Sequence, residues 1–491
     1  MKKNLLMLAA VLTALVACDK EPNGDVNGGG TVNENPDPTS IESVYLAKAS
    51  IVADPNGFNM LTDGGFENFA GDENWKAKSL YFMPDYVTEA ETPLTGSRSL
   101  HADVGFDGWG DVAVQSICLK KNKSYTLSLW YQGAWKGLNC YMGFRGASPH
   151  DVNTNNADKN DVWEEYTYTY ENTDDIKVDA FFGGFCWYDL WLELDDMKVI
   201  PTGSTNDSFM PSNASVTATS LVNASFNEVK AVEKVVAWKE ADGKIAGVLH
   251  NATVGENTLH NAFYTAKEDM KVVTVATESA TASALIPTAG ITVNGTKYVH
   301  FYEYAGETTP GPDDDAETFV PDWTATGSVV YSSADGAAWT ATSLEWPADS
   351  KFIRAAYVQN GEYVYMFGTP AGDQARMTYV ARVKAADFGT LSAYQYWAGE
   401  EWVADASLAV GIMFGPTDCM SVVYNSSNYT YMMVYRSATT GCLVYRDAGL
   451  PEGEWSGEKI LLADPDADTQ LYAPQLVAVS GNELQFVASK K

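Results

Sequence analysis

Residues 185–194, FCWYDLWLEL, gather the side chains of this chain best suited to chemistry. Successive residues of a strand point to opposite faces. An extended reading puts Cys186, Tyr188, Leu190, Leu192 and Leu194 on one face, with Trp187, Asp189, Trp191 and Glu193 on the other. The first is a core face. The second pairs flat indole rings with carboxylates, which can stack on the apolar face of a sugar ring and accept hydrogen bonds from its hydroxyls. Four strand residues would hold the two indoles about 13 Å apart, suiting sugars about two rings apart. Packing of this face against another sheet is the alternative reading. Trp109 and Trp135, beside glycine-rich turns, are further stacking candidates.

The elements that carry this face sit behind an address. Two lysines precede an apolar run that is too short to span a bilayer as a helix and ends in Leu15, Val16, Ala17 and Cys18. Small residues before a cysteine resemble the lipobox of bacterial lipoproteins. The resemblance implies removal of residues 1–17 and lipidation of Cys18, with the acyl chains as the anchor. Asp19, Lys20 and Glu21 resemble the surface-export signal of Bacteroidetes lipoproteins, which implies an outer-membrane protein facing the exterior. The Gly, Asn, Pro and Asp residues that follow cannot build a core. Residues 18–43 therefore read as the lipidated cysteine and a tether with a reach of about 28 Å.

The formal charge is −32, and −34 once Lys2 and Lys3 are removed. A chain this acidic repels phosphate backbones, which argues against nucleic acid as a partner. The 14 Trp and 27 Tyr exceed what a core needs, so aromatic platforms are expected at the surface. Short alternating segments between Asn-Gly, Asp-Gly and Gly-rich turns predict an all-β chain of two domains. Besides Cys18 there are five cysteines, Cys118, Cys140, Cys186, Cys419 and Cys442, without zinc-ligand spacing. They read as buried thiols. Cys419 and Cys442 fall on the outer two of three consecutive strands, too far apart to bridge.

Residues 44–200 alternate strand and turn throughout, which predicts a two-sheet sandwich. The order of signposts resembles the jelly-roll carbohydrate-binding modules: NMLTDGGFE at 59–67, Trp75, GSRSL at 96–100, the strand at 125–130, Trp163, and LDDM at 194–197. The resemblance implies a structural calcium held by Glu67 and by Asp195 or Asp196, hard oxygen donors that suit this ion.

Residues 201–215 read as a linker. Across residues 216–491 strand groups recur every 50–60 residues or so, which predicts a five-bladed β-propeller closed by strands from both chain ends. Strand polarity places His250, Arg354 and Gln475 near its axis, where they suit sugar hydroxyls. The motifs SADGAAW at 333–339, YVYMFGT at 363–369, YVARV at 379–383, YQYW at 394–397, MSVVYN at 420–425, PEGEWS at 451–456 and YAP at 472–474 resemble a family first defined as uncharacterised five-bladed propellers. That family includes endo-D-arabinanases. Two departures stand out. The acid-bearing turn of the family's first blade is matched by Leu249-His250-Asn251-Ala252-Thr253, without a carboxylate, and Cys419 stands at the family's glutamate. Glycoside hydrolysis uses two carboxyl groups across the scissile bond, one with a raised pKa. Asp418 and Glu256 are the candidates here.

Three readings follow. The first is a surface lipoprotein that binds extracellular polysaccharide through the sandwich and the propeller, beside outer-membrane glycan-uptake partners. The second is an endo-acting hydrolase of an arabinan-like substrate with the sandwich as its targeting module. The third is an adhesin for a non-sugar partner, since fold does not fix function. None needs an organic cofactor, and the membrane is met only through the lipid.

Overall fold

The computed structural model describes residues 40–53, 58–67, 82–87, 93–104, 108–133, 138–147, 151–153, 162–174, 176–186, 190–202, 211–223, 229–254, 257–266, 272–278, 285–307, 323–372, 376–438, 441–462 and 470–490. Cys18 and residues 19–39 of its tether, Trp135, Trp187, Asp189 and Glu256 lie outside these residues, and the side chain of Trp109 is not described; the expected tether's last residues, 40–43, instead open a strand. Every long element is a strand; the helical turns among the described residues are three residues each. The chain is all-β, a jelly-roll sandwich joined to a five-bladed propeller.

The sandwich stacks a five-stranded sheet on a four-stranded one. The first runs in the order Phe82–Val87, Ser99–Val104, Leu190–Pro201, Ser124–Gly133, Glu164–Glu171. The second runs Gly108–Leu119, Ile176–Cys186, Leu138–Arg145, Asp151–Asn153. Strict alternation explains the packing. In Ser124–Gly133, Tyr125, Leu127, Leu129 and Tyr131 are buried while Thr126, Ser128 and Trp130 are half-exposed. Those buried side chains meet Ile117, Met142, Phe144, Val178 and Phe182 of the other sheet. Each fully buried apolar side chain of this kind stabilises by about 1.5–3 kcal/mol.

Five blades surround an axis. Their innermost strands are Lys234–Lys239, Leu285–Val293, Arg354–Asn360, Pro416–Asn425 and Leu471–Ser480, each packed against the next in a closed ring. Buried runs such as Arg354–Val358 reflect burial on both faces. The fifth blade is assembled from distant parts of the chain. Leu471–Ser480 pairs with Glu483–Lys490, which pairs with Ser40–Ala53, which pairs with Pro211–Asn223. The propeller therefore begins at residue 40, and the sandwich is an insertion between two strands of one blade. The sandwich start expected at residue 44 falls inside a propeller strand, and the expected linker 201–215 runs into another.

The sandwich docks on blades three and four, through its four-stranded sheet and through Asn59 and Tyr125. Lys177 lies over the Phe414 ring at 3.9 Å, and Cys118 Sγ is 3.1 Å from Met377 Sδ. Asn59 O accepts from Gly457 N at 2.6 Å, and Tyr125 donates its hydroxyl to Glu454 at 2.8 Å. A Cβ at Gly457 would overlap the Leu61 backbone, so glycine is required by the closeness of this approach. Cys118, Cys140 and Cys419 are buried free thiols and Cys442 is a half-buried one.

Candidate functional site

Two clusters of polar and aromatic side chains stand out. The first lies on the outer face of the five-stranded sheet, on the side away from the docked one. Leu192 and Leu194 are 1% and 0% exposed, while Trp191 and Glu193, which alternate with them, face outward and are half-buried. Register brings His101 opposite Glu193 on one side and Gln132 opposite it on the other. Gln132 Nε2 donates to Glu193 Oε2 at 2.6 Å, and His101 Nδ1 is 3.6 Å from Glu193 Oε1. The His101 ring stacks with Trp191 at 6.1 Å between centroids and 18° between planes. Trp130 shares this face. Leu192 pairs with Gly133, so Trp130 lies about four residues along from Trp191 on the adjacent strand, about 14 Å away. The result is a carboxylate fixed by neighbours on both sides between two half-exposed indoles.

The sequence reading found Trp191 and Glu193 and missed His101, Gln132 and Trp130. Alternation along 124–133 held the signal for Trp130 and Gln132. His101 enters only through strand pairing.

The second cluster sits at the mouth of the propeller axis, where the innermost strands begin. Lys234 Nζ lies 3.3 Å from Asp418 Oδ1, with side-chain exposures of 6% and 27%. Burial pushes the Asp418 carboxyl up, but Lys234 and Arg354 outweigh it and hold the group below the usual carboxylate range. Burial likewise opposes the charge of Lys234, and Asp418 more than restores it. Arg354 donates to Gly372 O and lies over the Tyr302 ring at 5.1 Å. Burial pushes the neighbouring Cys419 thiol up to about 11 and the Tyr472 hydroxyl up to about 12, so both are neutral at pH 7. His250 Nδ1 is 2.9 Å from Asn261 Oδ1, and burial pushes this imidazole below its usual range.

Beneath the mouth an axial channel of about 550 Å³ runs between the five innermost strands. Ala237, Gly290, Ala356, Ser421 and Gln475 line it. Of the expected axial residues, Arg354 thus joins Asp418 at the mouth, Gln475 lines the channel, and His250 is held by Asn261. Lys234 was not foreseen: a lysine opening the strand KVVAWK reads as a solvated end, and only ring closure buries it.

This geometry fixes what Asp418 can do. A carboxylate paired with Lys234 and held below its usual range does not donate a proton near neutral pH, so Asp418 is unsuited to the general-acid role.

The side chains expected to hold calcium make the following contacts. Glu67 Oε1 accepts from Ser97 N at 2.7 Å and Arg98 N at 3.1 Å, and Glu67 Oε2 from Ser97 Oγ at 2.9 Å. Asp195 Oδ2 accepts from Thr95 N at 2.9 Å and Oδ1 from Asp196 N at 2.7 Å. Asp196 pairs with Lys198 at 2.7 Å. Glu67 and Asp195 pin loop 95–98 directly. Among the described residues no three His, Cys, Asp or Glu side chains converge to hold a metal ion.

Comparison with solved structures finds similar folds for both parts. A carbohydrate-binding module, TmCBM61 in complex with β-1,4-galactotriose, is 13% identical over 29% of this chain and 98% of its own, with a TM-score of 0.25. The GH43_1 enzyme from Xanthomonas citri complexed with xylose is 11% identical over 54% of this chain and 88% of its own, with a TM-score of 0.33. The catalytic domain of a GH62 α-L-arabinofuranosidase from Coprinopsis cinerea is 8% identical over 54% of this chain and 92% of its own, with a TM-score of 0.34. No curated protein matches. Residues 226–491 match the family described as a domain of unknown function, DUF4185. That span holds four whole blades and the C-terminal hairpin of the fifth, more than half of the sequence, and the chain belongs to this family.

Proposed function

We propose that this protein binds polysaccharide at the cell surface, with the open face of the sandwich as its principal saccharide site, the axial mouth as a second, and a lipid on Cys18 as its anchor. One observation carries the reading: Trp191 is kept at the surface by a core of leucines behind it, beside a Glu193 carboxylate held by Gln132 and His101. An indole offers a sugar ring an apolar platform at small entropic cost, and a fixed carboxylate accepts hydroxyl protons without reorganising. The separation of Trp191 from Trp130 matches an oligosaccharide of about three rings lying diagonally across the sheet.

The test is affinity electrophoresis and calorimetry against a polysaccharide panel, with Trp191→Ala beside the parent. Retained binding by a folded Trp191→Ala protein would remove the open face from the account. Cys18→Ala should release the protein from the membrane fraction; continued membrane association would remove the lipid.

A second reading, endo-acting hydrolysis of an arabinan-like glycan, has one observation in its favour. Glu233, which accepts from Asn251 Nδ2, directly precedes Lys234, the partner of Asp418, so two carboxylates flank the mouth. Release of reducing ends that disappears in both Glu233→Gln and Asp418→Asn would establish it, and binding without release would exclude it.

A further inference from the structure

We propose that the axial channel is a socket for the end of an uncharged glycan chain, entered from the propeller face opposite the mouth, with Gln475 and Ser421 at its inner end. The inference rests on the saccharide reading above for its ligand class, and on the channel for a site apart from both the open face and the mouth.

Exposure along the innermost strands gives the direction of opening. Lys234, Asp418 and Tyr472 of the mouth do not line the channel. The lining begins just beyond them, at the level of Ala237, Ser421 and Gln475, which are buried. It ends at Ala241, Gln359 and Gly361, which are exposed. The channel therefore opens on the face where these strands end. The steps from Ala237 to Ala241 make it about 13 Å deep. Spread over that depth, a volume of about 550 Å³ corresponds to a bore of about 7 Å. Such a bore admits one sugar ring or one extended chain and excludes an α-helix, which is about 10–12 Å across with its side chains.

The chemistry of the wall selects the occupant. Among the described residues each innermost strand pairs on one side only, so five strand edges face the axis. Edges of this kind present both N–H and C=O groups, and sugar hydroxyls, which donate and accept, match both. A peptide strand carries such groups on two edges only, whereas a sugar ring carries them around its rim. A second observation is independent of the edges. Gln475 is 2% exposed and its Nε2 has no hydrogen-bond partner. A buried amide donor left unpaired is both costly and rare. Beside it Ser421 Oγ accepts from Leu476 N at 2.9 Å, which leaves the hydroxyl proton to be donated. Ring and hydroxyl oxygens of a chain end supply the acceptors that these two donors lack. Charge favours an uncharged sugar. Glu240, the carboxylate of the lining, pairs with Lys297 and accepts from Thr292 Oγ1 at 3.2 Å. The chain as a whole carries −32, which opposes the approach of a polyanion.

The experiment is calorimetric titration of the full chain, and of its Trp191→Ala variant, with linear neutral oligosaccharides of arabinose, xylose, galactose, mannose and glucose. At least one should still bind Trp191→Ala. Adding Gln475→Met, which keeps the volume and removes the donor, should weaken that binding about tenfold. Should this buried substitution unfold the blade, Ala241→Leu serves instead: it adds bulk at the exposed entrance, without a ring to stack on, and should weaken the same binding. A cyclic oligomer of the same sugar has no chain end and should not compete. Binding to Trp191→Ala that neither substitution weakens, or that the cyclic oligomer displaces, overturns the inference. Complete loss of binding in Trp191→Ala also overturns it and leaves the open face as the saccharide site. If no sugar binds the parent, the saccharide reading itself has failed.

Discussion

Asp195 gives the sharpest test of how the sandwich is held together. It is fully buried, and burial pushes its carboxyl from the ordinary 3.8 up to about 6, against the hydrogen bonds from Thr95 and Asp196 that favour the ion. A carboxyl whose pKa is raised on folding binds more protons folded than unfolded between those two values. Its contribution to stability is greatest at low pH and falls as pH rises through about 6. Over the whole window the change is about 3 kcal/mol, at 1.36 kcal/mol per pH unit. Between pH 5 and 7.5, kept above the isoelectric point of 4.4, it is about 1.4 kcal/mol. The perturbation is Asp195→Asn, which abolishes the titration. Its lost hydrogen bond costs the same at every pH and drops out of the slope. Urea unfolding of both proteins at pH 5 and 7.5 should show the stability of the parent relative to the variant falling by about 1.4 kcal/mol towards pH 7.5. A difference that stays constant would refute the burial argument. Millimolar calcium is the companion measurement: an ion held at Glu67 and Asp195 keeps the carboxyl ionised and erases the slope, and an unchanged slope excludes the ion.

Two further outcomes follow. Trp191→Ala should weaken glycan binding about 10- to 100-fold, the range for truncating an aromatic anchor, with the melting temperature nearly unchanged because only part of the ring is buried; calorimetry and a thermal melt check both. Gly96→Ala should destabilise by about 2 kcal/mol or more, because φ is +63° there and a Cβ would overlap the Glu67 carboxylate that pins the loop; urea unfolding at pH 7.5 measures it.

The parts of this structure legible in the sequence are those fixed by local periodicity. Alternation in 124–131 and 190–194 gives the inner and outer faces of the sandwich because strand geometry alone decides them. Blade repeats between 285 and 462 are contiguous in sequence, so each announces itself. What escaped was set by long-range pairing. Ser40–Ala53 pairs with Glu483–Lys490, more than four hundred residues away, and nothing local in SIESVYLAKASIVA distinguishes a propeller strand from a sandwich strand. His101 reaches Glu193 only through strand register. Lys234 meets Asp418 only because the fourth blade closes on the first through the fifth. The sequence offers the chemistry of each residue; the ring decides which of them meet.

The insertion also determines how the chain can be divided. A fragment of residues 216–491, the boundary that composition suggests, lacks Ser40–Ala53 and the start of Pro211–Asn223, and so half of the fifth blade. In the intact protein Val44, Leu46 and Ile51 of the missing strand are 2–4% exposed. Their burial alone contributes about 5–9 kcal/mol, comparable with the whole stability of a typical domain. That fragment should be insoluble or molten. Ala53 and Pro211, by contrast, are paired residues of adjacent antiparallel strands. Replacing residues 54–210 by Asn-Gly would close them as a two-residue hairpin and leave all five blades intact. This shortened chain should unfold cooperatively with a β-rich circular dichroism spectrum, at a lower temperature than the parent because the docking contacts at Phe414 and Gly457 are lost. If residues 216–491 fold as well alone as the hairpin-closed chain does, the N-terminal strand is no structural part of the propeller, and the insertion topology is wrong.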